Sequence, residues 1–401
     1  MAHVVVIGGG QAGASLVARL RADGFEGAIT LLGAEAVPPY QRPPLSKAYL
    51  LGEMALERLF LRPAGFYADQ GITLRTGTRA ESIDPERRRV TLAGGEVLEY
   101  DALALTTGAR PRRLPAAIGG DLPGVHVMRD LADADRLAPE MQPGARAVVI
   151  GGGYIGLEAA AVAAKKGLKV TLIEAAPRIL QRVAAPVTSD WFRDLHRSHG
   201  VDIREGTALS RIEGADRVTG VRLADDTVIP ADLVVVGIGI TPDIALAEAA
   251  GLTIDNGIAT DAFARTSDPH IWAAGDCASL IFNGERIRLE AVSNAVDMGE
   301  AVARNIMGRA EPYVAKPWFW SDQYDVHLQI AGLNRGHDAV HVRRGEAVSH
   351  WYYAGARLVS VDAMSDPRAY MVGKRLIEAG RSPAPEMVAD AGIDLRDILR
   401  G

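Results

Sequence analysis

The phrase "HVVVIGGGQAGASLV" at residues 3–17 returns as "AVVIGGGYIGLEAAA" at residues 147–161, and a chain that carries it twice has few folds open to it. Each copy opens on a short β-branched run, Val4 to Ile7 or Ala147 to Ile150, of the kind buried on both faces of a parallel sheet. A glycine turn follows, then apolar residues at helical spacing, such as Leu16, Val17 and Leu20, then a second apolar run, Ile29 to Leu32 or Val170 to Ile173. In such a strand, turn, helix and strand unit, Gly8 and Gly151 permit the tight turn. Gly10 and Gly153 let the backbone approach a pyrophosphate, and Gly13 and Gly156 let helix and strand pack closely. The helix N-terminus offers free N–H groups and a favourable dipole to the diphosphate. One glycine loop is a weak signal; two complete units predict two dinucleotide sites and an α/β fold.

The copies differ in one useful way. With the glycines aligned, the first copy has two extra residues between helix and second strand, so Gly33 falls opposite Glu174 and an acid arrives only at Glu35. A carboxylate at Glu174 accepts from ribose hydroxyls and repels a 2′-phosphate, which predicts NADH over NADPH. Arg178 and Arg182 nearby weaken that preference. Two nucleotide sites predict one cofactor that stays and one that visits. The segments "YDALALTTGARPRRLP" (100–115) and "ADLVVVGIGITPD" (231–243) each run an apolar strand into small residues and a proline, and are expected to be crossings between two domains. "DPHIWAAGDCASL" (268–280) ends a strand on Gly275 and Asp276, an aspartate placed either to cap a turn or to bind a polyol such as the ribityl chain of FAD.

Composition narrows the class. At 401 residues, 48% hydrophobic and 23% charged, the chain exceeds what one core usually organises. No uncharged apolar run reaches the roughly 18 residues of a membrane span, and no basic leader precedes Val4, so a cytoplasmic protein without membrane contact is expected. A formal net charge of −6 argues against a generic nucleic-acid binder. The single cysteine, Cys277, excludes a redox pair and is expected to be a small buried filler. No metal site is expected: His196 and His199 stand at i, i+3 without a supporting ligand cluster.

The phrases "GGGQAG", "PYQRPPLSKAYL" (39–50), "TTGARP", "GGGYIGLEAA", "EAAPRIL", "AAGDCA", "RLEAVSNA" (288–295) and "PWFWSDQYDVHLQIAGL" (317–333) span nearly the whole chain. In these the sequence resembles the FAD-dependent ferredoxin reductases of bacterial oxygenase systems, a group within the glutathione reductase-like superfamily. The resemblance implies two Rossmann-like domains and a C-terminal α+β interface domain: residues 1–108 and 237–317 for FAD, 109–236 for NAD, and 318–401 for the interface. It implies electron transfer from NADH through FAD to a small [2Fe-2S] ferredoxin that supplies a cytochrome P450 or a ring-hydroxylating dioxygenase. For FAD it implies contacts from Gly8, Gly10, Ala12, Gly13, Glu35, Arg42, Lys47, Ala80, Arg129, Gly275, Asp276 and Val292. For NAD it implies contacts from Gly151, Gly153, Ile155, Gly156, Glu174, Arg182 and Gly239. Two departures stand out: Ala34 sits where relatives often carry an acid, and Ala80 replaces a larger aliphatic at a flavin-contacting turn.

Lys47, Glu158 and Trp320 are the residues expected to act in catalysis. A glutamate near a helix start ordinarily satisfies the dipole at the surface; here Glu158 is expected to pair with Lys47, orienting the nicotinamide without burying an unpaired charge. Of Trp318, Phe319 and Trp320, two are expected in the core, with Trp320 near the flavin by resemblance. Ferredoxin docking is expected to be transient and steered by charge, with Arg62, Arg288, Lys316 and Arg335 as candidate basic residues. Other functions use a related plan. A disulfide reductase needs a cysteine pair, and an NADH oxidase or peroxidase needs a cysteine where this chain has "YQRPPLSK". A rubredoxin reductase, or a redox-sensing protein that binds FAD and NADH but turns over slowly, remains as an alternative.

Overall fold

The computed structural model describes residues 2–400 as two compact units. The first comprises the chain up to Gln41, Leu56–Arg110 and Thr241–Pro317. Its centre is a five-stranded parallel sheet in the order Ile271–Ala273, Ala102–Leu105, His3–Ile7, Ala28–Leu32 and Ile72–Arg75. The run Val4, Val5 and Val6 is at most 1% exposed, as a strand covered by helices on both faces must be. Helix Gln11–Ala22 packs on helix Val292–Ile306 so closely that a Cβ on Gly299 would stand 2.5 Å from Ala12 O.

The second unit comprises Arg42–Ala55, Pro111–Ile240 and Trp318 onward. It repeats the parallel sheet in the order Asp202–Arg204, Lys169–Ile173, Arg146–Ile150, Leu233–Val236 and Val125–His126. The central strands of the two sheets end in the same register, Ile7 opposite Leu32 and Ile150 opposite Ile173. The two extra residues of the first copy lie in the turn after its helix, which ends at Ala22 before a strand starting at Ala28. In the second copy the helix ends at Lys165 and the strand starts at Lys169. Gly33 and Glu174 therefore hold equivalent places beyond their strands. The strands Ala109–Pro111 and Ile240–Pro242, within the two expected crossing segments, pair as a two-stranded ribbon.

The same unit carries a five-stranded antiparallel sheet in the order Trp318–Gln323, Val326–Gly332, Arg357–Met364, Val348–Ala354 and Ala339–Arg344. Helices Pro367–Glu378, Pro385–Ala389 and Leu395–Arg400 cover one face, closing a core of Trp351, Tyr353, Val361, Leu376, Val388 and Leu395. Residues 42–55, expected in the FAD domain, fall within this second unit, as do residues 318–400. Among the described residues, no helix is long and apolar enough to cross a membrane.

Candidate functional site

Each glycine-rich turn divides into positions the protein needs and one it does not. A Cβ on Gly8 would stand 2.1 Å from Thr106 O, and one on Gly13 2.1 Å from Gly8 O. In the second unit a Cβ on Gly151 would stand 2.5 Å from Gly237 O, and one on Gly156 2.0 Å from Gly151 O. These four are glycines because backbone occupies the space. A Cβ on Gly10 or Gly153, by contrast, would meet nothing within 4 Å, so no packing within the chain accounts for the missing side chain. Both are N-cap residues, of helices Gln11–Ala22 and Tyr154–Lys165. Neither helix has a side-chain cap or an acid in its first turn. Two uncapped helix starts with open space before them fit dinucleotide phosphates.

The surroundings of each cradle can be read separately. In the first unit, Ala34 and Ala80 join Ile7, Gly8 and Leu32 in lining a pocket at the carboxyl ends of the strands, where small side chains leave room. Glu35 is held by Tyr40, whose hydroxyl donates to Oε2 at 2.6 Å. Gly275, at φ +79°, brings the turn containing Asp276 against helix Gln11–Ala22, with a Cβ there only 3.3 Å from that of Ala12. Val292 opens another helix of this unit that starts without a side-chain cap. In the second unit, Glu174 accepts from the backbone N–H groups of Gly152 and Ala176, both at 2.7 Å, so the carboxylate is fixed beside the glycine turn. Ile155 is 43% exposed on the first turn of its helix. The Arg182 guanidinium lies against Gly239, 3.5 Å from where a Cβ would stand. Arg178 is engaged by Ser189 at 2.5 Å and is less available to a phosphate. Arg42 donates to the Arg129 carbonyl at 3.0 Å, which brings these two arginines together.

Glu158 is only 2% exposed although it lies on the second turn of its helix. Lys47 Nζ stands 2.8 Å from its Oε2, and Ser46 Oγ donates to the same oxygen at 2.6 Å. Ser321 Oγ donates to Oε1 at 2.7 Å. A buried carboxylate with an ammonium partner and two hydroxyl donors has its charge compensated and its plane fixed. The sequence pointed to the pair but not to the two serines, which come from segments 112 and 163 residues away. Their only sequence signal is a serine inside the otherwise aromatic run "WFWSDQ".

One expectation is corrected. None of Trp318, Phe319 and Trp320 is fully buried; all three are partly exposed on the edge strand Trp318–Gln323, with Trp318 packed against the core of Trp351 and Tyr353. Trp318 and Trp320 stack on one face with centroids 5.5 Å apart, while Phe319, on the other, meets Tyr154 at 4.8 Å. Arg288 is not a free basic residue: it binds Asn256 and, at 2.7 Å, Glu290, with its side chain 16% exposed. His196 has both ring nitrogens engaged, by Gln323 at 2.8 Å and Tyr324 at 3.2 Å, and His199 stacks on Tyr324. Arg62 lies over the Phe66 ring, and Lys316 and Arg335 are exposed. Cys277 is fully buried, and burial raises its thiol pKa, which leaves it inert.

A second buried polar group joins helix Pro186–Ser198 to the antiparallel sheet. Thr188 Oγ1 lies 2.9 Å from Asp362 Oδ2 and 2.6 Å from His350 Nδ1, and Tyr352 donates to the same Asp362 oxygen. Burial raises the Asp362 carboxyl from an ordinary 3.8 to about 6, against the opposing hydrogen bonds from Tyr352 and Thr188. A carboxyl raised on folding costs stability where the folded form is ionised, so the penalty is full above about pH 6 and relieved as pH falls towards the unfolded value. Between about pH 7.5 and about pH 4.5 this group alone should stabilise the fold by on the order of 2 kcal/mol. Denaturant titrations of wild type and D362N at both pH values check this: the wild type should gain on the variant on acidification, and parallel behaviour would refute the assignment.

The chain matches the model of the pyridine nucleotide-disulphide oxidoreductases over residues 2–299 and that of the reductase C-terminal domain over 318–399. It is 47% identical to a ferredoxin–NAD(P)+ reductase of Sphingomonas sp., over 96% of this chain and 94% of the relative. It is 42% identical to a putidaredoxin reductase of Pseudomonas putida, over 99% and 96%. The crystal structure of a covalent putidaredoxin reductase–putidaredoxin complex superposes with a TM-score of 0.96 at 41% identity, covering 100% of this chain and 98% of that one. With both glycine cradles in place and the match running from end to end, the chain belongs to the pyridine nucleotide-disulphide oxidoreductase family, in its ferredoxin reductase branch.

Proposed function

We propose that this protein is a flavoprotein reductase that carries electrons from NAD(P)H through FAD to a small [2Fe-2S] ferredoxin. The observation that carries the reading is the pair of uncapped helix starts whose middle glycines, Gly10 and Gly153, leave space the protein itself does not fill. The first cradle, with Glu35, Ala80, Gly275, Asp276 and Val292, would hold the resident FAD; Arg42, Lys47 and Arg129 are further proposed FAD contacts. Gly151, Gly153, Ile155, Gly156, Glu174, Arg182 and Gly239 would hold the visiting nicotinamide nucleotide. FAD, when bound, accepts a hydride from the nicotinamide and releases electrons singly to an iron–sulfur acceptor.

The chain's own residues position and compensate. Lys47 presents a cation whose charge is balanced by Glu158, so the site gains a fixed dipole without an unpaired buried charge. Glu174, held by two backbone N–H groups, presents its remaining lone pairs to a ribose and its charge against a 2′-phosphate, which favours NADH. Trp320, partly exposed on an edge strand, offers an aromatic surface beside which an acceptor can dock. The proposed domain roles are residues 1–108 and 237–317 for FAD, 109–236 for NAD and 318–401 for the interface, with residues 42–55 packing in the second unit. A cytoplasmic location and service to a cytochrome P450 or dioxygenase complete the proposal.

One experiment tests it. The purified protein is mixed with NADH or NADPH and a panel of [2Fe-2S] ferredoxins and rubredoxins, and acceptor bleaching is followed. Rapid reduction of a ferredoxin with NADH as the better donor is expected. Faster rubredoxin reduction would transfer the assignment to that acceptor, and binding of both cofactors with slow turnover on every acceptor would make the protein a redox sensor.

A further inference from the structure

Glu158 ends a line of hydrogen bonds whose direction is set at every link. Tyr324 Oη lies 3.2 Å from His196 Nδ1, His196 Nε2 lies 2.8 Å from Gln323 Oε1, Gln323 Nε2 donates to Ser321 Oγ at 3.1 Å, and Ser321 Oγ donates to Glu158 Oε1 at 2.7 Å. An ionised carboxylate only accepts, so Ser321 must give it its proton and can receive only from Gln323. The Gln323 amide then has its NH2 towards Ser321 and its carbonyl towards His196, which fixes the proton of a neutral His196 on Nε2 and leaves Nδ1 to accept from Tyr324. Burial pushes the His196 pKa down to about 4, so the ring is neutral near pH 7, as this order requires. Ser321, Gln323 and His196 are each fully buried, where hydrogen bonds polarise one another and a carboxylate gains most from them.

The distribution of donors on the carboxylate gives Ser321 a distinct part. Oε2 has two partners, Ser46 and Lys47; among the described residues, the hydrogen bond to Oε1 is that from Ser321. Two donors at one oxygen fix its position but leave the carboxylate plane free to turn about it. A third at the other oxygen sets the plane. Strand Trp318–Gln323 supplies that third donor, since Phe319, Ser321 and Gln323 point to one side of it, towards Tyr154, Glu158 and His196.

We propose that Ser321, oriented by Gln323 and His196, is a positioning residue for electron entry: it sets the plane of the Glu158 carboxylate and thereby the place of the Lys47 ammonium. The inference rests on the reductase reading above. With the hydroxyl gone, as in S321A, the carboxylate turns and Lys47 follows it, while the strand keeps its ladder to Val326–Gly332.

The test uses the FAD-loaded full-length chain and three variants, S321A, S321T and S321C. In stopped-flow mixing with NADH, S321A should lower the limiting rate of flavin reduction by about tenfold to a hundredfold, the loss expected for a hydrogen bond to a charged group. The NADH dissociation constant and the FAD content should stay within about twofold. S321T, which keeps the hydroxyl, should recover most of the rate. S321C, close in size and a weak donor, should fall between and carries the comparison if S321A fails to fold. As a readout apart from turnover, the midpoint potential of the bound flavin should move in S321A in the same direction as in E158Q. A limiting rate in S321A within twofold of wild type, or equal losses in S321A and S321T, or an unmoved potential, overturns the proposal. A wild type whose flavin NADH does not reduce overturns the reductase reading itself; a wild type that is reduced normally beside an unaffected S321A overturns only the role of Ser321.

Discussion

Replacing Gly153 with valine is expected to raise the dissociation constant for NADH by about a hundredfold or more while leaving folding and FAD content unchanged. The reason is the asymmetry within one motif. The side chain at 153 enters space that no part of the protein occupies, so it meets only a ligand. It also stands at the N-cap of helix Tyr154–Lys165, where it would keep a diphosphate away from the free N–H groups, and each 1.4 kcal/mol lost there is tenfold in affinity. G156V should behave otherwise: its Cβ would sit 2.0 Å from Gly151 O, which forces helix from strand and costs stability before any ligand is present. Isothermal titration with NADH alongside thermal unfolding separates the two. If G153V unfolded like G156V, or bound NADH as wild type does, the space before Gly153 would not be the nucleotide's.

The second large effect is expected at Glu158. E158Q keeps the shape of the side chain and removes its charge, so Lys47 loses its counterion, and the limiting rate of flavin reduction by NADH should fall by about tenfold to a hundredfold. E158L also removes the carboxylate oxygens that Ser46 and Ser321 donate to, leaving the Ser321 hydroxyl and the Lys47 ammonium poorly paired in a buried site, and should cost about 3 kcal/mol of stability besides. The measurement is stopped-flow flavin reduction set beside FAD retention in the same preparations. Loss of rate with FAD retained assigns Glu158 to electron entry; equal loss of both would reduce the pair to a structural link.

The strands of both nucleotide-binding sheets, their helices and the glycine turns were legible because each is a local pattern: an apolar run, a turn that demands glycine, and a helical repeat. The registers that end at Ile7 with Leu32 and at Ile150 with Ile173 reproduce the offset that put Gly33 opposite Glu174. The Lys47–Glu158 pair was expected from the resemblance, and its 2.8 Å separation lies within the second unit. Residue type misleads in the aromatic run, because this strand buries its polar Ser321 and Gln323 and leaves its three rings partly exposed. The pairing of Arg288 with Glu290 and Asn256 depends on a turn that composition does not describe.

The sequence by itself determined that this chain builds two dinucleotide-binding units, that the second has an acid suited to a ribose, and that no cysteine pair serves the chemistry. These are properties of residue type and short spacing, which act within one strand, turn and helix. Only the tertiary structure decided what surrounds Glu158. Ser46, Lys47 and Ser321 meet it directly, and Gln323 and His196 through Ser321, from three separated stretches, and hydrogen bonds act over about 3 Å, a distance that folding sets and spacing along the chain does not.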